Sequence, residues 1–143
     1  MQEDEQAAQQ DMQSQAMQLE YALGAYQERL GTIEAQINRI MLLLDNLNKE
    51  KEILDQKNNT QGKHALIPIG GSLLIGVNTN SMDHVYVNVG GGFVVESNAV
   101  DALNIIKKRI DKTTANLNIL IGEKRKLQDI IYETSYRLEQ LVG

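Results

Sequence analysis

The stretch Val85-Tyr-Val-Asn-Val-Gly-Gly-Gly-Phe-Val-Val-Glu96 places two short β-forming runs on either side of a glycine triplet. In the first run Val85, Val87 and Val89 occupy alternate positions, and alternate side chains of a strand point to the same face. Glycine adopts the backbone conformations that tight hairpin turns require. The stretch therefore predicts a β-hairpin with one apolar face.

A second pair of β-forming runs precedes this hairpin, in Leu66-Ile-Pro-Ile-Gly-Gly-Ser72 and in the apolar run that ends at Val77. Pro68 has no backbone N–H to donate, which favours a short or edge strand. Residues 64–96 thus predict two β-hairpins. Four strands without a covering helix cannot bury their apolar side chains alone, so we expect them to join an intersubunit β-barrel. The predicted assembly residues are Ile67, Ile69, Leu74, Val77, Val85, Val87, Val89, Phe93 and Val95.

Apolar residues recur at alternating spacings of three and four on both sides of the strands, which is the heptad pattern of a coiled coil. We predict an N-terminal helix over residues 1–58, ending in the polar residues 58–63, and a C-terminal helix over residues 98–142, capped by Asn98 with Asp101. Each seam spans six heptads, and the equal length of the seams implies that the two helices fold back on each other. The predicted fold class is α+β, an antiparallel coiled-coil hairpin with two β-hairpins inserted between its helices. The seam positions are Met12, Ala16, Leu19, Leu23, Tyr26, Leu30, Ile33, Ile37, Ile40, Leu44, Leu47, Lys51 and Leu54, then Ala99, Leu103, Ile106, Ile110, Thr113, Leu117, Leu120, Lys124, Leu127, Ile131, Thr134, Leu138 and Leu141.

Two antiparallel registers of these seams remain open. In one, the numbers of facing residues sum to 157, so that Leu30 lies opposite Leu127. In the other they sum to 150, so that Leu23 lies opposite Leu127 and Tyr26 lies opposite Lys124. Periodicity alone does not choose between registers one heptad apart.

The composition excludes several classes of protein. The 143 residues include no cysteine, so disulfides and thiolate metal sites are excluded. The formal net charge of −5 disfavours a nucleic-acid-binding protein. The sequence has no run of about 18 apolar residues that could span a bilayer, and its acidic start is unlike a secretory signal. We therefore expect a soluble, cytoplasmic protein without a nucleic-acid or membrane partner.

Catalytic motifs are also missing from the sequence. His64 and His84 are the only histidines, and they lack the spacing of a metal-binding helix. Gly71 and Gly76 have the spacing of a phosphate-binding loop but are followed by Val-Asn in place of Lys and a hydroxyl residue. We expect no catalytic residues, no metal and no cofactor, and therefore no enzyme.

The order of helix, two hairpins and helix, with the blocks Leu66–Ser72 and Val85–Glu96, resembles the α-type subunit of the prefoldin family. The resemblance covers most of the chain. It implies a heterohexamer of two α-type and four β-type subunits whose strands close two eight-stranded barrels. It further implies that coiled-coil tips hold unfolded client proteins without ATP and pass them to the group II chaperonin in the cytosol.

The resemblance places the client-binding tips at the first turns of the first helix and the last turns of the second. Apolar residues there are small, flexible or off the seam, and Met side chains adapt to varied apolar surfaces. Met17 and Val142 lie off the seam, which favours their contact with a client. The candidate client-binding residues are Met12, Ala16, Met17, Leu19, Leu138, Leu141 and Val142.

One alternative function uses the same strands for another purpose. A coiled-coil scaffold or filament-forming relative without chaperone activity would share the β-barrel assembly. Such a protein would form open-ended or unusually sized particles and would have little effect on the aggregation of clients.

Overall fold

The computed structural model describes residues 1–56, 62–79 and 83–143. The predicted helix end at residue 58 and most of the polar stretch after it lie outside the described residues. In chain order the elements are α1 (Gln2–Asp55), β1 (His64–Pro68), β2 (Leu74–Asn78), β3 (His84–Gly90), β4 (Phe93–Asn98) and α2 (Ala99–Val142). This order of elements confirms the predicted fold class.

The chain divides into two compact units. The coil unit contains residues 1–41 and 115–143, and the hairpin unit contains residues 42–114. Each unit has its own buried residues.

The coil unit is a two-helix coiled coil whose buried residues lie on the predicted seam. Ile33, Ile37 and Leu127 form its core. The half-buried side chains packed against them are Tyr26, Leu30, Leu117, Leu120, Ile121 and Ile131. From Ala16 onward every seam position of this unit is buried or half-buried, because heptad spacing keeps those side chains on the face that meets the other helix.

An ion pair across the coil unit selects the register. Lys124 Nζ lies 3.7 Å from Glu34 Oε1. The register that sums to 157 places Lys124 level with Ile33, next to Glu34 in the chain. The register that sums to 150 places Lys124 level with Tyr26, which is eight residues and about 12 Å of helix away from Glu34. The coil unit therefore adopts the register in which Leu30 lies opposite Leu127.

The two helices differ in length, although their seams are equally long. Helix α1 has 54 residues and α2 has 44. In the observed register Gly143 is level with residue 14, and residues 1–15 are all exposed. The extra turns stay helical without a partner helix because their Gln, Glu and Ala residues favour helix and their first turn is acidic.

The hairpin unit contains two separate two-stranded antiparallel sheets, β1–β2 and β3–β4. In the first, Ile67 pairs with Ile75, and in the second, Val87 pairs with Val95. The triplet Gly90, Gly91 and Gly92 has φ values of 97°, 61° and 81°, a left-handed conformation that explains why glycine occupies all three turn positions. Both predicted hairpins are confirmed, with a bulge between Asn88 and Gly90.

Strand β4 runs directly into α2, two residues beyond the strand end expected at Glu96. Asn98 is the last strand residue and caps the helix. Its Oδ1 accepts a hydrogen bond of 2.7 Å from the Asp101 N–H, and its Nδ2 donates one of 3.0 Å to Asp101 Oδ2. The predicted helix cap is therefore confirmed.

The sequence predicts that Val85, Val87 and Val89 of β3 find no core within the chain. This prediction is wrong for Val85 and Val87. Val87 is only 8% exposed and Val85 is half-buried. Val87 lines a cavity of about 350 Å³ together with Leu54, Ala102 and Ile106. The helices of the hairpin unit thus cover part of β3. Val89 follows Asn88 at the bulge and remains 49% exposed.

Candidate functional site

We call the end of the coil unit where α1 begins and α2 ends the tip (residues 1–28 and 129–143). A groove lies between the two helices of the tip. Its volume is about 580 Å³. The residues that line it are Gln15, Gln18, Leu19, Ala22, Tyr136, Arg137, Gln140 and Leu141. Apolar side chains from both helices meet here beside flexible amides, an arrangement that suits contact with an extended, mostly apolar peptide.

The candidate tip residues occupy three kinds of position. Leu19 and Leu141 line the groove. Met17 and Val142 are fully on the surface, at 70% and 71% exposure. Of the others, Ala16 and Leu138 are half-buried at the seam, and Met12 is exposed on the part of α1 that extends past α2.

Three exposed tyrosines of the tip were missed from the sequence. Tyr21, Tyr132 and Tyr136 are 83%, 75% and 56% exposed. All three lie off the seam, as Met17 and Val142 do, so the same criterion would have identified them. Large exposed aromatic side chains supply contact area at low entropic cost, which makes them strong anchors for a partner chain.

The strands of the hairpin unit expose apolar side chains on both faces. In β1–β2, Ile67 and Ile75 share one face while Leu66 and Leu74 lie on the other, and all four are exposed. Of the predicted assembly residues, Val77 and Val85 are half-buried, Val87 is buried, and the exposed ones are Ile67, Ile69, Leu74, Val89, Phe93 and Val95. Exposed apolar residues in or next to the strands that were missed are Leu66, Leu73, Ile75, Tyr86 and Val94. Apolar residues on both faces of a strand are typical of a sheet covered on both sides.

Asn88 connects the second hairpin to α2. Arg109 Nη2 donates a hydrogen bond of 2.7 Å to the Asn88 backbone oxygen. The Asn88 side-chain Oδ1 accepts a second one, of 2.9 Å, from the Gly90 N–H at the bulge. The sequence places Arg109 in a run of basic residues with Lys107 and Lys108, but Arg109 is half-buried while both lysines are exposed. Arg109 therefore fixes where β3 lies against the helix.

Replacing this guanidinium should loosen the second hairpin. We expect Arg109→Met to leave the Asn88 carbonyl without its partner and to destabilise the hairpin unit by about 1–2 kcal/mol. Hydrogen exchange of the β3 amides should speed up accordingly. Lys108→Met removes the same charge from an exposed neighbour and should leave exchange unchanged. Equal exchange in the two variants would contradict the positioning role of Arg109.

The two histidines have local partners within their own hairpins. His64 Nδ1 lies 3.1 Å from Asn78 Oδ1, and His84 Nδ1 lies 3.2 Å from Glu96 Oε1. Among the residues that the structure describes, no three His, Asp or Glu side chains are grouped closely enough to hold a metal ion. In the same residues, neither helix has the apolar length needed to cross a bilayer.

An exposed apolar groove at a coil tip, combined with exposed apolar strands, is typical of a protein that binds other polypeptides. The family model of the prefoldin subunit matches residues 19–143. The chain belongs to the prefoldin family. It is a chaperone-type subunit that assembles with other prefoldin subunits, and its likeness to prefoldin alpha subunits is consistent with the α-type.

Individual relatives agree with this assignment. The chain is 29% identical over 101 residues to Prefoldin subunit alpha of Methanothrix thermoacetophila, covering 70% of this chain and 66% of the relative. The crystal structure of the prefoldin beta subunit from Thermococcus strain KS-1 has the same fold, with a TM-score of 0.65 and 20% identity over 88% of this chain and 90% of that one. The cryo-EM structure of filamentous PFD from Methanocaldococcus jannaschii is also similar, with a TM-score of 0.57, 25% identity, and coverage of 86% of this chain and 97% of that one.

Proposed function

We propose that this chain is an α-type subunit of a holdase that binds unfolded proteins with its coil tips, without ATP, and delivers them to a group II chaperonin in the cytosol. The observation that carries the proposal is the apolar groove at the tip, lined by Leu19, Tyr136 and Leu141. Around it Met17 and Val142 offer further apolar surface. An unfolded protein exposes the apolar side chains that such a surface would bind.

A single tip binds a client only weakly, so the holdase requires several tips in one particle. Linked weak sites raise the overall affinity through effective concentration, while each contact can still dissociate by itself. Release of the client then needs no nucleotide hydrolysis, because contacts can be lost one at a time as the chaperonin binds the same chain. Client capture and transfer both follow from this multivalency.

We propose that two copies of this chain assemble with four β-type subunits through the strands. The exposed apolar residues of β1, β2 and β4 and their unpaired edges support assembly through the strands, since further strands would cover both. Ile67 and Val95 illustrate the point, at 45% and 48% exposure. The assembly roles of the exposed strand residues rest on the same argument.

The test is an aggregation assay on the complex assembled with a β-type subunit. An unfolded client is diluted into buffer without nucleotide, and its light scattering is followed with and without the complex. We expect the complex to suppress scattering and a later addition of group II chaperonin with ATP to recover folded client. A complex that suppresses scattering only when nucleotide is present, or not at all, would contradict the proposal.

A second candidate function is a filament or scaffold built through the same strands. The likeness to the filamentous PFD of Methanocaldococcus jannaschii favours it. The two functions differ in the mass of the assembled particle. A finite particle of six chains supports the holdase, whereas particles that lengthen with protein concentration and leave client scattering unchanged support the filament.

A further inference from the structure

We propose that the groove at the tip selects unfolded segments that carry Lys or Arg side chains beside apolar ones. The inference rests on the proposed function, since it names the class of client that the tip holds. It follows from how charge is distributed around the groove.

The tip is far more acidic than the rest of the chain. Nine acidic residues and one basic residue, Arg137, lie in residues 1–28 and 129–143, whereas the whole chain has 19 acidic and 14 basic residues. The remaining residues thus carry more basic than acidic side chains. No ion pair joins any of the nine to another residue that the structure describes. The nine are Glu3, Asp4, Glu5, Asp11, Glu20, Glu28, Asp129, Glu133 and Glu139.

Two of these carboxylates lie beside a groove residue. Glu133 and Glu139 lie three residues before and after Tyr136 on α2, and residues three apart are neighbours on a helix surface. Tyr136 lines the groove, so its apolar lining has carboxylates beside it on α2. Arg137 is the one cation that lines it.

Basic segments suit this combination better than acidic ones. The alkyl stem of Lys or Arg can cover apolar surface while its charged end stays near a carboxylate in water. Exposed aromatic faces such as Tyr136 also attract cations. Acidic segments would bring like charges together at the same place. Both effects act between exposed groups, so salt should weaken them.

The experiment measures binding of three labelled, unstructured peptides to the complex assembled with a β-type subunit. The peptides share their length and apolar residues, and their remaining positions are Lys, Ser or Glu. Fluorescence anisotropy without nucleotide gives their dissociation constants. At ~50 mM salt we expect the Lys peptide to bind about tenfold more tightly than the Glu peptide, because each exposed ion pair contributes a factor of about two. At ~500 mM salt the difference should nearly vanish.

A charge variant and its matched control locate the effect. Glu133→Gln with Glu139→Gln should abolish the preference for the Lys peptide and leave Ser-peptide binding unchanged. The control is Glu52→Gln with Asp111→Asn, which changes the net charge equally at exposed positions of the hairpin unit. The control should keep the preference.

Each outcome decides the inference. A Ser peptide that binds, with equal affinity for the Lys and Glu peptides, overturns the basic preference and leaves the proposed function standing. If the charge variant and the control lose the preference for the Lys peptide equally, the carboxylates responsible do not lie at the groove and the inference is overturned. Failure of all three peptides to bind contradicts the proposed function and this inference with it.

Discussion

A complex that carries Met17→Ser, Tyr136→Ser and Val142→Ser in this subunit should lose most of the protection that this subunit's tips give an aggregating client. The three side chains are exposed, at 70%, 56% and 71%, so their replacement removes binding surface with little effect on folding. Each contributes about 1–2 kcal/mol when a client covers it. We therefore expect at least about tenfold more complex to be needed for half-suppression of light scattering.

The control for this variant replaces exposed apolar residues elsewhere on the same helices. Met41→Ser with Leu42→Ser and Ile119→Ser removes side chains of similar exposure outside the tip. This control should protect the client as well as the unmodified complex does. Equal losses in the two variants would show that clients bind along the helices and would contradict a site at the tip.

Charges in the strands should prevent assembly. Ile67→Glu with Val95→Glu places carboxylates on exposed apolar strand surface that a neighbouring subunit would bury. An unpaired charge buried in an interface costs several kcal/mol, which exceeds the margin of most assemblies. Mixed with a β-type subunit, the variant should elute as dissociated chains in size-exclusion chromatography with light scattering.

Two observations separate this loss of assembly from unfolding. The variant should keep its helical circular dichroism, since neither residue lies in the coil unit. Leu42→Glu introduces a charge at an exposed position of α1, at 66% exposure, and it should assemble normally. A strand variant that still forms the full complex would contradict assembly through these strands.

The helices and hairpins could be predicted because their signals are local and repeated. A heptad seam fixes which face of a helix is buried, whatever the partner, and every seam residue from Ala16 to Leu54 and from Ala99 to Leu141 is at least half-buried. The glycine triplet required a left-handed turn that only glycine adopts easily. The sequence left the register of the two helices open because a shift of one heptad preserves every apolar layer. In the structure the ion pair between Lys124 and Glu34 distinguishes the two registers.

The features that could not be predicted depend on residues distant in sequence. Arg109 reaches Asn88, 21 residues away, and no local pattern separates it from the exposed Lys107 and Lys108. Val87 is covered by helix residues, although strand alternation alone indicated only that its face is apolar. At the tip, the off-seam position of Tyr136 is visible in the sequence, but its place in the groove depends on the register that sets α2 beside Leu19 and Ala22.

Direct contact between client and tip is the most direct test of the central claim. A photo-crosslinking amino acid is placed at Tyr136 or, as the matched position, at Ile119, which lies on the same helix with 61% exposure. The assembled complex is mixed with unfolded client without nucleotide and irradiated. The account predicts a strong client adduct from position 136 and only background from position 119. Adducts of equal yield at both positions, or none at 136 while the complex suppresses aggregation, would contradict it.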